Sequence, residues 1–282
     1  MNPTRILQII IVLNLFVLSN LRAQNIPEID NKHPLTIGET IEIYSTILNE
    51  PRILNIYLPF GYEADSLKKY PVIYLLDGSI NEDFIHISGL VQFASFPWID
   101  MIPESIVVGI SNVDRKRDFT FHTDIKELKK EFPTTGYSAS FIDFIEKELQ
   151  PFVDNNYNTD TLNTLIGQSL GGLLATEILF KKPDLFDNYI IVSPSMWWDD
   201  ESLMKFTPKP YHTLKTIYIA VGKEDDIMVR EARELYDKLK SISVENTRIY
   251  FKYFDDQNHG DVMHLAVYDA FEIMAISKKE SK

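Results

Sequence analysis

None of the 282 residues is cysteine. That excludes disulfides, thiolate nucleophiles and cysteine-ligated metal centres, so stability has to come from a packed core. An H-E-x-x-H metal motif is also missing. His259 and His264 stand five residues apart and so do not share a helical face. The sequence therefore gives no reason to expect a cofactor. Basic charge is scarce: 28 Lys and Arg stand against 41 Asp and Glu, for a formal charge of −13. Such a chain suits neither nucleic acid nor an anionic membrane surface, and an anionic ligand would need a local basic patch. No internal repeat or low-complexity linker divides the chain.

What is present is apolar surface. Hydrophobic residues make up 45% of the chain, enough for one substantial core. Residues 1–23 stand outside it. Arg5 opens a basic start, residues 6–18 are interrupted only by Gln8 and Asn14, and Leu21-Arg22-Ala23 ends in a small residue. The apolar run is shorter than the roughly 20 residues a membrane span needs. It reads as a secretory signal peptide. Expectation therefore sets residues 1–23 as the leader and residues 24–282 as one exported catalytic domain, periplasmic or secreted. After cleavage the chain would be two units more negative and would have no membrane contact.

From residue 71 onward, strand and helix patterns alternate. Buried strands are expected at residues 71–76, 105–110, 162–166, 188–192, 214–221 and 248–254, from their short continuous apolar runs. Helical spacing is expected over residues 137–153, 170–180, 228–239 and 261–276. Ahead of them, residues 41–48 and 52–59 read as an antiparallel edge hairpin. The fold class is thus α/β: a mostly parallel, doubly wound sheet with an antiparallel N-terminal hairpin.

The chemistry is concentrated at Gly167-Gln168-Ser169-Leu170-Gly171. This G-x-S-x-G lies between a buried strand and an apolar helix, the context in which a serine is forced out at a strained turn. Ser169 is the candidate nucleophile. The first N–H of the helix, from Leu170, is a candidate oxyanion donor. Asp77-Gly78-Ser79 ends the first parallel strand, and Gly78 or Ser79 could supply the second N–H.

A serine nucleophile needs a base, and the base an orienting carboxylate. Of six histidines, His259 lies in the loop after the last strand. The acid is expected on the preceding strand's loop, Gly222-Lys223-Glu224-Asp225-Asp226. Asp225 is the choice there, one residue beyond Glu224, its closest rival. Arg115 and Arg117, in a loop at a strand's carboxyl end, could bind an acidic substrate group, or could pair with Asp114 and Asp118. The first tryptophan of Ser193-Pro194-Ser195-Met196-Trp197-Trp198, Trp197, is a candidate substrate wall; packing into the core is its alternative.

From about residue 42 to the C-terminus the chain resembles the Putative esterase family of α/β-hydrolases. The matching stretches are Tyr74-Leu75-Leu76-Asp77-Gly78, residues 108–110 with 114–118, residues 144–152, residues 166–172, residues 193–198 and Asn258-His259-Gly260. Residues 193–198 and 222–230 are most similar to its siderophore-esterase branch. The resemblance implies an α/β-hydrolase fold, with Ser169 and His259 as nucleophile and base. It supports Asp225 as the acid less firmly, since a serine–histidine pair alone is the alternative. A serine carboxylesterase acting on a small siderophore-like ester is therefore expected. A carbohydrate esterase removing acetyl or feruloyl groups, and a non-catalytic binding protein on the same fold, are its rivals.

Overall fold

The computed structural model describes residues 26–242 and 247–280, together with isolated positions between 2 and 8. The expected leader falls almost wholly outside the described residues. Residues 26–36 carry no regular structure, and Ile37–Lys282 forms one compact unit. Among the described residues no helix is long and apolar enough to cross a membrane.

Eight strands form one sheet: β1 (Gly38–Ser45), β2 (Glu50–Tyr57), β3 (Tyr70–Leu75), β4 (Ile106–Ile110), β5 (Thr159–Gln168), β6 (Asn188–Val192), β7 (Lys215–Gly222) and β8 (Thr247–Phe254). Their spatial order is β1-β2-β4-β3-β5-β6-β7-β8. β1 and β2 form the expected antiparallel hairpin, and β2 also runs antiparallel to β4. The other neighbours are parallel. The order reverses at β3, which lies between β4 and β5. A crevice opens at the carboxyl ends of strands where the chain leaves in opposite directions, and ligands bind there in doubly wound sheets.

Helices cover both faces. On one side α1 (Phe84–Ala94) and α9 (Val262–Glu280) pack over Ile73, Leu75, Ile166 and Ile190. On the other, α4 (Ser138–Phe144), α6 (Leu170–Lys181) and α8 (Asp226–Ile242) pack over Tyr74, Leu165, Ile191 and Ile219. Leu165 and Ile166 thus enter opposite cores, which is why a parallel strand reads as an unbroken apolar run rather than an alternating one. α6 is buried from Leu170 to Phe180 on every side, so its sequence has no polar face. α8, by contrast, buries only the stripe of Met228, Ala232, Leu235 and Leu239, with Glu231 beside it.

The smaller elements are α2 (Arg115–Phe119), α3 (Lys126–Glu131), α5 (Gln150–Asn156) and α7 (Trp198–Lys205). The single helix expected over residues 137–153 is α4 and α5 joined by one π turn, Ile145–Leu149. Pro151 explains it. Proline has no N–H to give and crowds the carbonyl four residues back, and widening the preceding turn relieves both problems. The loop expected at residues 114–118 is instead the short α2, capped by Asp114, whose side chain accepts from the Arg117 N–H.

Candidate active site

Ser169 is held at φ 60° and ψ −121°, in the left-handed half of conformational space that a non-glycine residue enters only under constraint. The constraint is visible on both sides. The Ser169 N–H donates to the Val192 carbonyl at 3.0 Å, and its own carbonyl accepts from Ser195 N at 3.1 Å. Turning this sharply brings residue 171 back onto residue 167: a β-carbon on Gly167 would lie 2.5 Å from the Gly171 carbonyl oxygen. Only glycine fits at 167. Ser169 Oγ lies 3.4 Å from Ser195 Oγ. Leu170 opens α6, so its N–H has no partner within the helix.

Ser169, Ser195, Trp197, Lys223, Glu224, Asp225, Met228, Asn258 and His259 line one open cleft at the carboxyl end of the sheet. Trp197 is half-buried on its wall, whereas Trp198 is fully buried and donates its indole N–H to the Phe121 carbonyl at 3.0 Å. The tryptophan pair thus divides between cleft and core.

The carboxylate that meets His259 is Glu224. Its Oε2 lies 2.6 Å from His259 Nδ1. Its Oε1 accepts from the Ser193 hydroxyl and, at 3.3 Å, from the Gly222 N–H. The choice of Asp225 is therefore corrected: Asp225 Oδ1 accepts from the N–H groups of Ile227 and Met228, both at 3.0 Å, and so caps the start of α8. The loops of Glu224 and His259 are joined through their backbones as well, by Lys223 N to Gln257 O at 2.6 Å. Burial by itself would raise the Glu224 carboxyl. The hydrogen bonds from His259 and Ser193 outweigh it and hold the group below the usual glutamate value. Conversely, the hydrogen bond to Glu224 raises His259 against the opposing effect of burial. An ionised Glu224 can only accept, so the proton of neutral His259 belongs on Nδ1 and the Nε2 lone pair is left open.

Three other expectations change. The Gly78 N–H is spent on the Ile110 carbonyl at 3.0 Å, so Gly78 is not a free donor. Its role is spatial: a β-carbon there would meet Gly109 Cα at 2.4 Å, where the ends of β3 and β4 touch. Ser79 is left, its N–H held only by a long 3.3 Å contact to Glu82 Oε2. Arg117 is absent from the cleft lining and belongs to an ion-pair network with Glu50 and Asp118. That network also holds the fully buried Arg52, 2.7 Å from Asp118 Oδ2. Arg115 is committed to Asp77, with Nε to Oδ1 at 2.6 Å and Nη2 to Oδ2 at 2.9 Å. It is not an unpaired cation awaiting substrate.

Sequence reasoning missed Gln168, Ser193 and Ser195. Gln168 donates from Nε2 to the His259 carbonyl at 2.5 Å. It occupies the variable position of G-x-S-x-G, which carries no signal of its own.

A family model described as "Putative esterase" matches residues 45–262. This chain belongs to that family. It is 31% identical over 242 residues to the ferri-bacillibactin esterase BesA of Bacillus subtilis, spanning 78% of this chain and 83% of that one. It is 44% identical over 182 residues to the siderophore triacetylfusarinine C esterase of Aspergillus fumigatus, covering 60% of each. Among solved structures, the IroE-like serine hydrolase of Shewanella oneidensis superposes with a TM-score of 0.75 at 32% identity, over 84% of this chain and 79% of its own. The BES protein of Bacillus cereus gives a TM-score of 0.75 at 27% identity, over 89% and 99%. The fold is that of the α/β-hydrolases. The protein is a carboxylic ester hydrolase of the serine class that acts on small-molecule esters.

Proposed function

We propose that this enzyme hydrolyses ester bonds of siderophores through an acyl-enzyme on Ser169, with His259 as base and Glu224 as the orienting acid of a triad. The relatives named for ferri-bacillibactin and triacetylfusarinine C support the substrate class. The observation that carries the mechanism is the 2.6 Å contact between Glu224 and His259 on the cleft that also exposes Ser169.

In this reading Ser169 Oγ attacks the ester carbonyl while His259 Nε2 accepts its proton. The imidazolium that forms is held by ionised Glu224 through Nδ1–H. The carbonyl oxygen gathers charge against the N–H groups of Leu170 and Ser79. Collapse expels the alcohol, which takes its proton from His259. Water, activated by the same imidazole, then attacks the acyl carbonyl and frees the acid and Ser169. Trp197 supplies an aromatic wall for the bound substrate.

Residues 1–23 support a further part of the proposal, that the enzyme is exported and works outside the cytoplasm. Cell fractionation of the tagged full chain tests it, and retention of the unprocessed protein in the cytosol would overturn it. The substrate class is tested by assaying purified enzyme with ferri-bacillibactin, triacetylfusarinine C and acetylated xylan. Turnover of either siderophore well above xylan deacetylation is expected. The reverse order would replace the siderophore reading with that of a carbohydrate esterase.

A further inference from the structure

Arg115 is placed on α2, remote in sequence from every residue of the triad, yet it touches two loops of the site. Its guanidinium grips Asp77 with two parallel bonds of 2.6 and 2.9 Å, and its Nη2 reaches on to the Gln168 carbonyl at 3.2 Å. Asp77 is the residue two before Ser79, and Gln168 the residue before Ser169. From Gln168 the connection continues, through Nε2, to the His259 carbonyl at 2.5 Å. One continuous set of hydrogen bonds therefore joins the loop bearing Ser79, the serine turn and the histidine loop.

Asp77 needs such a hold. Its φ is 55°, a left-handed conformation that few non-glycine residues adopt. Asn112 Nδ2 also donates to its Oδ1 at 2.7 Å. Arg115 is itself fixed. The Asp114 side chain caps its helix, and its guanidinium stands 5.5 Å from the ring centre of fully buried Phe119. A planar fork held at both ends defines distance and angle together, which a lysine ammonium cannot do.

We propose that Arg115 is a positioning residue: by clamping Asp77 to the Gln168 carbonyl it sets the Ser79 N–H and the Leu170 N–H to converge on one oxyanion. This rests on the assignment of Ser169, Leu170 and Ser79 proposed above. Two donors on separate loops stabilise a single oxygen only while the loops keep their spacing, and a misplacement of about 1 Å can cost about 10²-fold.

The experiment compares Arg115→Met, Arg115→Lys and Asp77→Asn with the wild-type full chain. Each is assayed with neutral p-nitrophenyl acetate, with the anionic half-ester p-nitrophenyl succinate, and with a trifluoromethyl ketone that adds to the serine as a hemiketal oxyanion. Loss of kcat by about 10²-fold on both esters is expected, with KM changed by less than about threefold. The ketone should weaken in proportion to kcat/KM, and Arg115→Lys should fail to restore either. A residue that only supported folding would lower the melting temperature without weakening the ketone in the folded fraction, and that result overturns the clamp. So does a loss confined to the anionic ester through KM, which would make Arg115 a substrate contact. If Arg115→Met does not fold, the shape-conserving Asp77→Asn carries the same comparison. Fluorophosphonate labelling of Ser169 in the wild type separates the two ideas. No label at Ser169 would sink the serine assignment itself, whereas a labelled serine with fully active Arg115 variants would sink only the clamp.

Discussion

Glu224 Oε2 and His259 Nδ1 meet at 2.6 Å across 35 residues of chain. The glutamate side chain is only 5% exposed, and the histidine is 45% exposed toward the cleft. The buried partner is thus fixed by Ser193 and Gly222, while the exposed imidazole keeps one nitrogen toward substrate. Rigid support behind and access in front is the arrangement that a general base requires.

Ser169→Ala should abolish ester turnover, lowering kcat by about 10⁴-fold or more, while the protein stays folded. Removing the hydroxyl leaves the turn's backbone bonds to Val192 and Ser195 in place. Steady-state kinetics with p-nitrophenyl acetate, alongside circular dichroism, checks this; a folded variant with near-normal turnover would refute the nucleophile.

Glu224→Gln and Asp225→Asn should separate cleanly. The first removes the charge that stabilises the imidazolium and sets the tautomer, for a loss of up to about 10⁴-fold in kcat. The second keeps an amide oxygen that accepts the same two N–H groups, so it should cost less than about 1 kcal/mol of stability and little activity. Paired kinetics and thermal melts distinguish them. Two small and equal kinetic effects would instead indicate a serine–histidine dyad.

Activity should depend on pH through His259. Its contact with Glu224 raises it above the ordinary value of 6.5, and catalysis needs the neutral ring. The rise of kcat/KM with pH should therefore have its midpoint above 6.5 in the wild type and move downward in Glu224→Gln. The linked stability has the opposite sense: what the pair gains by protonating His259 is fully present below that ordinary value and is lost as the pH rises through the higher folded one. A pH–rate profile whose midpoint does not move on substitution would disprove the coupling.

Glu231 should limit stability at alkaline pH. It is fully buried on α8, with Oε2 unpartnered and Oε1 3.4 Å from Arg230 Nη2. Burial, with the charge of Glu201 nearby, pushes its carboxyl up to about 7. The unfolded chain loses this proton near the ordinary 4.5 while the folded chain keeps it to about 7. Stability therefore falls across that interval as the pH rises. Glu231→Gln should raise the melting temperature at pH 8 and lose that advantage at pH 4. An equal shift at both values would show that the carboxylate charge is not responsible.

The strand runs, the edge hairpin, Ser169 between strand and helix, and the loop position of His259 were all legible in the chain, because each depends on neighbours a few residues away. Alternation, apolar runs and glycines two positions either side of a serine are local backbone requirements, and the sequence has to meet them locally. The acid was not legible. Glu224 and Asp225 are adjacent carboxylates on one turn, and the choice between them rests on the histidine loop, tied on by Lys223 N to Gln257 O. That approach sends Glu224 inward and leaves Asp225 to cap α8. Arg115 and Arg117 look alike in sequence, but their acidic partners are decided by β2 and the end of β3, which bring Glu50 to one and Asp77 to the other. Gly78 read as a donor because its position suited one; the touching ends of β3 and β4 had already used its N–H. Which segments form strands and helices, and which serine stands at the strained turn, follow from local sequence alone. The tertiary structure alone decided which charges are spent on one another, because that depends on distances between loops that share no sequence.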